Sequence, residues 1–158
     1  MVDSSPFRYD KADSSPGFLL WKLTALWHTK LNTILGEFGI TQTQYALLAS
    51  LKWFKEKKEP TTQSHLVSHT KIDKMTVSKA LRRLEKAGLV TRENSSIDNR
   101  ATDVQFTDRG EKEIQKAIMV IERADDAFFS SLSKKQLEKY KELTSIVIAE
   151  NEGSRKVK

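Results

Sequence analysis

Apolar residues recur at intervals of three and four along most of the chain, which is the spacing of one buried helix face. The first such stretch begins where Ser15 can cap a helix and Pro16 takes its first position, and it ends at Gly39. A second helix is predicted to begin at 41–43 and to run through Phe54. The first third of the chain is therefore predicted to consist of two helices after a polar lead.

Two shorter helices with a tight turn between them are predicted next. Thr61 or Thr62 can cap the first, over 63–69, because a hydroxyl can accept a hydrogen bond from a free amide of the first turn. Asp73 can cap the second, over 74–86, in the same way. This order of elements is that of a helix-turn-helix.

The helix over 74–86 is amphipathic and strongly basic. Val77, Leu81 and Leu84 share one face, and the rest of the helix carries five Lys or Arg side chains against one carboxylate, a net charge of +4. Such a helix can bury one side and offer the other to a nucleic-acid groove, although a basic face can also be merely solvated. The polar and cationic positions are Lys74, Thr76, Ser78, Lys79, Arg82, Arg83 and Lys86.

A β-hairpin is predicted to follow this helix. Gly88 stands where a left-handed residue ends a helix, and strands are predicted over 89–93 and 102–107. The segment 94–101 between them is rich in turn-forming residues and carries Arg100 near its end. A polar hairpin with an arginine at its tip, placed beside a basic helix, is the arrangement of a DNA-binding wing.

Two long helices are predicted after the hairpin. The first begins at Asp108, and its apolar stripe continues as far as Leu132. Asp125 interrupts that stripe where an apolar residue is expected, and the sequence does not identify its partner. Ser133 can cap the final helix.

In this order and at this spacing, the motifs resemble those of the MarR family of winged helix-turn-helix transcriptional regulators. They are the Leu-Glu-Lys-Ala-Gly-Leu-Val of 84–90, Asp98-x-Arg100 and the Val-x-Phe-Thr-x-x-Gly of 104–110. Upstream, the Gly-Ile-Thr-x-x-Gln of 39–44 fits the family's second helix. Each fragment is only moderately specific, whereas their order and spacing together are strong.

The resemblance covers 16–150 and implies a mainly α fold with a small β-hairpin wing, with N- and C-terminal dimerisation helices added to the winged helix-turn-helix. Each added helix has an apolar stripe that it cannot bury alone. In the family a second subunit covers these stripes; the alternative is a monomer whose helices fold back on its own core. The predicted division is a flexible lead at 1–15, dimerisation helices at 16–40 and 108–151, a DNA-binding domain at 41–107 and a basic disordered tail at 152–158.

The resemblance and helix geometry together assign roles on DNA. The start of the helix 74–86 should meet base edges in the major groove, the preceding helix should touch phosphates, and Arg100 should reach the minor groove or the backbone. Asp98 is expected to orient the wing, because a carboxylate near phosphate is repulsive. The expected DNA-binding residues are Thr62, Gln63, Ser64, Lys74, Met75, Thr76, Ser78, Lys79, Arg82 and Arg100.

The predicted function is that of a sequence-specific regulator, expected to repress as a homodimer on a pseudo-palindromic operator in double-stranded DNA. Two alternatives stay open: a winged-helix module that binds proteins, and a DNA-coating protein with little sequence preference. A small aromatic or amphipathic effector could release the regulator from DNA. Its candidate pocket is mostly implied by the resemblance, because large aromatics at helical spacing are more often core or dimer contacts. The pocket residues are Trp21, Trp27, His28, Tyr45 and Trp53.

Composition excludes several other kinds of site. The chain has no cysteine, so it has no disulfide, thiolate metal site or thiol-based redox sensor. His65 and His69 are four residues apart on one predicted helix, but two ligands without an obvious acidic partner favour ordinary polar positions over a metal site. Sequence motifs for an enzyme, a cofactor, a membrane span or an export signal are absent, and a cytosolic protein is expected. The net charge of +6 suits a polyanionic partner.

Overall fold

The computed structural model describes residues 6–153, and within that range the mainly α fold with one β-hairpin is confirmed. A 3-10 helix at Ala12–Ser14 lies within the segment expected to be a flexible lead, and residues 1–5 of that lead are outside the described range. The α-helices and strands in chain order are α1 (Pro16–Glu37), α2 (Gln42–Glu56), α3 (Gln63–Thr70), α4 (Lys74–Lys86), β1 (Val90–Asn94), β2 (Thr102–Phe106), α5 (Asp108–Phe128) and α6 (Lys134–Gly153).

Side-chain caps hold the helix starts in place. The Thr41 hydroxyl accepts from the Gln44 amide, and the Gln44 side chain accepts in return from the Thr41 amide, which is a capping box. Ser133 and Gln136 form the same reciprocal pair at the start of α6. Because each cap satisfies amides that the helix itself leaves unbonded, these starts are set by local sequence.

One helix end agrees with the prediction and two differ. α1 ends at Glu37 with Phe38 as its C-cap, and Gly39, the residue predicted to end it, adopts a left-handed backbone with φ of +65°. α5 ends at Phe128, so Leu132 lies in the turn before α6 and is not part of the helical stripe. α6 runs to Gly153, so the start of the expected tail is helical, and 154–158 are outside the described range.

The chain divides after Ile121 into two compact units, so α1 and most of α5 belong with the helix-turn-helix and the hairpin. The domain boundaries predicted from sequence assign both helices to a dimerisation region, and these boundaries stay a prediction. In the first unit, a smaller cluster joins α1 to α5 through Leu31, Leu35 and Ile121. The main core gathers α2, α3, α4, the hairpin and the start of α5 around Leu47, Leu66, Val77, Leu81, Leu84, Val90, Val104 and Ile114.

The second unit contains the end of α5 and all of α6. The ring of Phe129 contacts those of Phe128 and Tyr140, each with centroids 5.1 Å apart. Desolvation and, secondly, the neighbouring Asp126 raise the pKa of Asp125, and Lys141 of α6 opposes that rise. Lys141 is thus the cation near the carboxylate that interrupts the apolar stripe.

The wing is a two-stranded antiparallel hairpin that is fixed at its base. Arg92 of β1 stands opposite Val104 of β2, whose amide donates 2.9 Å to the Thr61 carbonyl just before α3. The Thr107 hydroxyl donates 2.7 Å to the Gly88 carbonyl, which ties the residue after β2 to the turn that follows α4. The wing is therefore bonded to the segments that flank the helix-turn-helix, before α3 and after α4.

Gly110 is predicted to be essential for folding, because α5 passes very close to the start of β1. A Cβ atom at this position would lie 1.8 Å from the backbone oxygen of Leu89. Gly110→Ala should lower the free energy of unfolding by about 3 kcal/mol or more, as expected for an overpacked backbone contact, measured by chemical denaturation.

The matched control is Gly36→Ala within α1, where nothing lies within 4 Å of the added Cβ. Alanine is the better helix former there, so this variant should gain about 0.5–1 kcal/mol in free energy of unfolding. A Gly110→Ala protein as stable as the wild type would contradict the packing described here.

Candidate nucleic-acid interface

The helix-turn-helix is formed by α3, a three-residue turn and α4. Lys71 enters the turn with a left-handed backbone at φ of +60°, and its amide donates 3.0 Å to the Val67 carbonyl. Leu66 anchors α3 in the core with no exposed surface. α4 buries Val77, Ala80, Leu81 and Leu84, so its opposite side must face solvent.

The solvent-facing side of α4 is a surface of unpaired positive charge. Its cations are all exposed, and none of them forms an ion pair with another residue in the range 6–153. The single carboxylate of the helix, Glu85, is bound by Arg92 of the wing. We call this surface the cationic face; it consists of Lys74, Lys79, Arg82, Arg83 and Lys86.

The N-terminal end of α4 is held by its cap. One carboxylate oxygen of Asp73 accepts 2.9 Å from the Thr76 amide. The side chain and then the amide of Thr76 lower the pKa of Asp73 below its ordinary value of 3.8. Beside this cap, the Met75 side chain is 75 % exposed, which places an apolar group at the position predicted to meet base edges.

The start of α3 offers backbone amides that the helix itself does not bond. The Thr62 hydroxyl accepts 3.2 Å from the His65 amide and caps the helix. The amides of Gln63 and Ser64 lie in the first turn, where an α-helix provides no acceptor of its own. This end of α3 therefore has the donors that bind phosphate at a helix N-terminus.

The tip of the wing presents the predicted arginine. The Asp98 carboxylate accepts 2.9 Å from the Arg100 amide, and its orienting role stays a prediction. Arg100 itself is exposed and unpaired among the described residues. Ile97, which the sequence reasoning did not select, is 88 % exposed at the same tip.

A second feature that the sequence reasoning missed is the contact between Glu85 and Arg92. The Nε and Nη2 atoms of Arg92 donate 3.1 and 2.7 Å to the same Glu85 oxygen. The sequence pattern that could have indicated this ion pair is two opposite charges seven residues apart, one on each side of the Gly88 that ends the helix. Pairing them required knowing that the strand turns back along the helix.

The five aromatic and histidine residues predicted to wall an effector pocket lie apart from the cavities described here. Trp21 and Trp53 are mostly exposed, and the Lys57 ammonium lies 5.1 Å from the Trp53 ring centre. Trp27 and Tyr45 pack against the core clusters, and the His28 carbonyl accepts from Gln42. The aromatic pocket therefore stays a prediction.

One cavity of about 290 Å³ lies instead behind α4, within the first unit. Its wall includes the end of α4 and the turn before α2, together with the first turns of α5. This volume is at the lower end of the range for small-molecule sites. The lining residues include Phe38, Ile40, Leu48, Leu84, Arg109 and Glu113.

His65 and His69 are occupied by ordinary contacts. Both rings lie against Phe54, at centroid distances of 6.4 and 5.0 Å, and Nδ1 of His65 accepts from the Thr62 amide at 3.4 Å. In the part of the chain that the structure describes, no three His, Asp or Glu side chains are grouped to hold a metal. None of the helices between residues 6 and 153 combines the length and apolar character needed to cross a membrane.

Known proteins with similar sequences are winged-helix and HTH-type regulators. A family described as ArnR1-like, winged-helix domain, matches residues 36–124. An uncharacterised HTH-type transcriptional regulator of Bacillus subtilis, YdcH, is 35 % identical over 129 residues, covering 82 % of this chain and 88 % of the relative.

Solved structures agree with the fold. A complex of Staphylococcus aureus MepR with DNA has a TM-score of 0.78 at 21 % identity, over 89 % of this chain and 99 % of MepR. The structure of MarR has a TM-score of 0.67 at 25 % identity, over 84 % of this chain and 94 % of MarR.

The Asp73 cap is predicted to make a pH-dependent contribution to stability. Its pKa is lower in the folded chain, so the contribution is present above the ordinary value of 3.8 and is lost as the pH falls through the lowered pKa. Asp73→Ala should therefore lower the thermal midpoint at pH 7, and its difference from the wild type should shrink in acid.

Asp73→Ser is the matched control, since a serine hydroxyl can cap the helix without titrating. It should keep most of the thermal midpoint at pH 7. A constant difference between the Ala variant and the wild type at all pH values would show that the carboxylate charge does not contribute.

Proposed function

This chain belongs to the MarR-type winged helix-turn-helix transcriptional regulators, and we propose that it acts by binding a specific operator in double-stranded DNA as a homodimer. The observation that carries the proposal is the unpaired cationic face on α4, the helix that follows α3 and precedes the wing. A helix of this kind can enter the major groove while the two flanking elements bind the backbone.

The charges on this surface are available for phosphate or base. Cations already paired with carboxylates would lose those partners on binding DNA, whereas these cations release only counterions. We assign the start of α4 to base edges, with Lys79 and Arg82 suited to guanine or phosphate. The assigned contact set is Thr62, Gln63, Ser64, Lys74, Met75, Thr76, Ser78, Lys79, Arg82 and Arg100. The existence of a MepR–DNA complex with the same fold supports this assignment.

Dimerisation is supported by apolar surface on the terminal helices. α1 exposes Leu20 and Trp21, and α6 exposes Ile146 and Val147, all more than half. Each helix needs a partner for such a face. A second copy provides one, and two recognition helices would then read half-sites about 34–36 Å apart, so the operator would be a pseudo-palindrome.

Repression and effector release complete the proposal. A dimer that covers a promoter operator excludes polymerase. An effector that favours a different separation of the two recognition helices would weaken operator binding by its affinity difference between the two conformations. A ligand that binds tightly but leaves operator affinity unchanged would contradict this release mechanism.

Substitutions of Arg82 and Arg100 test the proposed DNA binding. Arg82→Ala and Arg100→Ala should each weaken operator binding about tenfold or more, because each removes one cationic contact. The salt dependence of binding should also fall by about one ion for each variant. Fluorescence anisotropy over a salt series measures both quantities, and thermal denaturation should show unchanged folding.

Lys30→Ala is the matched control, since this exposed α1 cation lies outside the assigned contact set. Equal affinity of the wild type for operator and random duplex would favour a DNA-coating protein. Absence of any salt-sensitive DNA binding would favour a protein-interaction module. Specific recognition requires a preference of about a thousandfold or more.

A substitution of Val147 tests the proposed homodimer. Val147→Glu places a carboxylate on a face that the proposal buries, so the dimer dissociation constant should rise by about a hundredfold. Light scattering on a size-exclusion column measures the mass of each species. Ser145→Glu, an exposed polar position on the same helix, is the control. A wild-type chain that is monomeric at micromolar concentration would refute the dimer.

A further inference from the structure

We infer that the ion pair between Glu85 and Arg92 positions the wing relative to the recognition helix α4, so that both can bind one operator half-site together. The inference rests on the proposed DNA-binding function. Judged by charge alone, Arg92 would be taken as a residue that contacts phosphate, and Glu85 as a surface carboxylate without a role. We assign both instead as positioning residues that act through Arg100.

Geometry directs Arg92 away from DNA. It lies two residues after the buried Val90 and opposite the buried Val104, so it is on the core-facing side of the hairpin. Its side chain is only 20 % exposed, and two of its nitrogen atoms already donate to Glu85. Arginine holds a carboxylate well in this way because its donors form a rigid planar group.

Glu85 is the unusual member of the pair. It is the only carboxylate on a helix with five cations, and by charge alone it weakens the attraction of α4 for DNA. Its placement in the last turn of α4 brings it within reach of β1. Holding the wing gives this otherwise unfavourable charge a function.

Other hydrogen bonds hold the wing at its base and, at Val104 opposite Arg92, to the segment before α3. The carbonyls of Thr61, Gly88 and Leu89 accept these bonds, and the Leu89 amide just before β1 donates to the backbone carbonyl of Leu84 in α4. Among the hydrogen bonds and ion pairs of the described residues, those between Arg92 and Glu85 are the ones that join a side chain of α4 to a strand of the wing. They lie midway along β1, where they can limit tilting of the hairpin.

A small tilt matters because the wing is a lever. Five residues of strand span about 17 Å, so a tilt of about 10° would move the tip by about 3 Å. That displacement is enough to break a hydrogen bond between Arg100 and DNA. The ion pair therefore acts on affinity through a residue to which it is not bonded.

Glu85→Gln gives a prediction opposite in sign to that of simple electrostatics. The probes are a duplex selected by the wild-type chain from a randomised pool and a random duplex of equal length. Removing a negative charge should leave random-duplex binding unchanged or tighter. Operator affinity should instead fall about fivefold or more, and the salt dependence should fall by about one ion as the Arg100 contact is lost.

A double-mutant cycle separates positioning from general structural damage. Because Glu85 is proposed to act through Arg100, the double variant Glu85→Gln/Arg100→Ala should bind the operator about as weakly as Arg100→Ala alone. Glu85→Gln combined with Lys74→Ala should show multiplied effects, since the Lys74 contact is independent of the wing. Exchanging the charges, with Glu85→Arg and Arg92→Glu together, should recover part of the operator affinity lost in either single variant.

Operator binding by Glu85→Gln that equals or exceeds the wild type would overturn the inference and leave the proposed function intact. The inference would also be overturned if the double variant Glu85→Gln/Arg100→Ala lost operator affinity by the product of the two single losses. Failure of the wild-type chain to select any duplex would instead refute the proposed function, and the inference with it. Thermal denaturation of each variant confirms that the folded protein is being compared.

Discussion

Burial of one side of α4 is the constraint on which the DNA-facing surface depends. Val77, Leu81 and Leu84 are almost fully buried, and each such side chain contributes about 1.5–3 kcal/mol when it leaves water. Rotating the helix to hide its cations would expose these residues and bury uncompensated charge. The core therefore fixes which side chains face solvent, and the cationic face follows from packing without needing DNA to be present.

The local parts of this arrangement could be predicted from sequence. Helix ends are specified by hydrogen bonds or backbone angles within a few residues, as at Asp73, Thr62 and Gly88. The helix-turn-helix and the hairpin can therefore be predicted from the sequence. Cationic positions on α4 followed from the helical period. The roles of individual residues on DNA remain predictions.

Contacts between distant elements could not be read in this way. The pairing of Thr61 with Val104 and of Glu85 with Arg92 depends on how the hairpin turns back, which no local pattern encodes. The aromatic residues illustrate the same limit. Trp27 packs against a core cluster and Trp53 lies on the surface, although both are candidates for the same pocket by sequence. Burial of a large side chain is decided by its neighbours in space.

The close approach of Gly110 to Leu89 has a consequence for genetic experiments on this protein. Every other amino acid brings a Cβ into the same backbone oxygen, so position 110 should tolerate no replacement. A screen that scores only loss of regulation in cells would rank it beside an arginine that touches the operator. Measuring protein abundance in the same screen would separate the two, since one class of variant disappears from the cell and the other persists without binding.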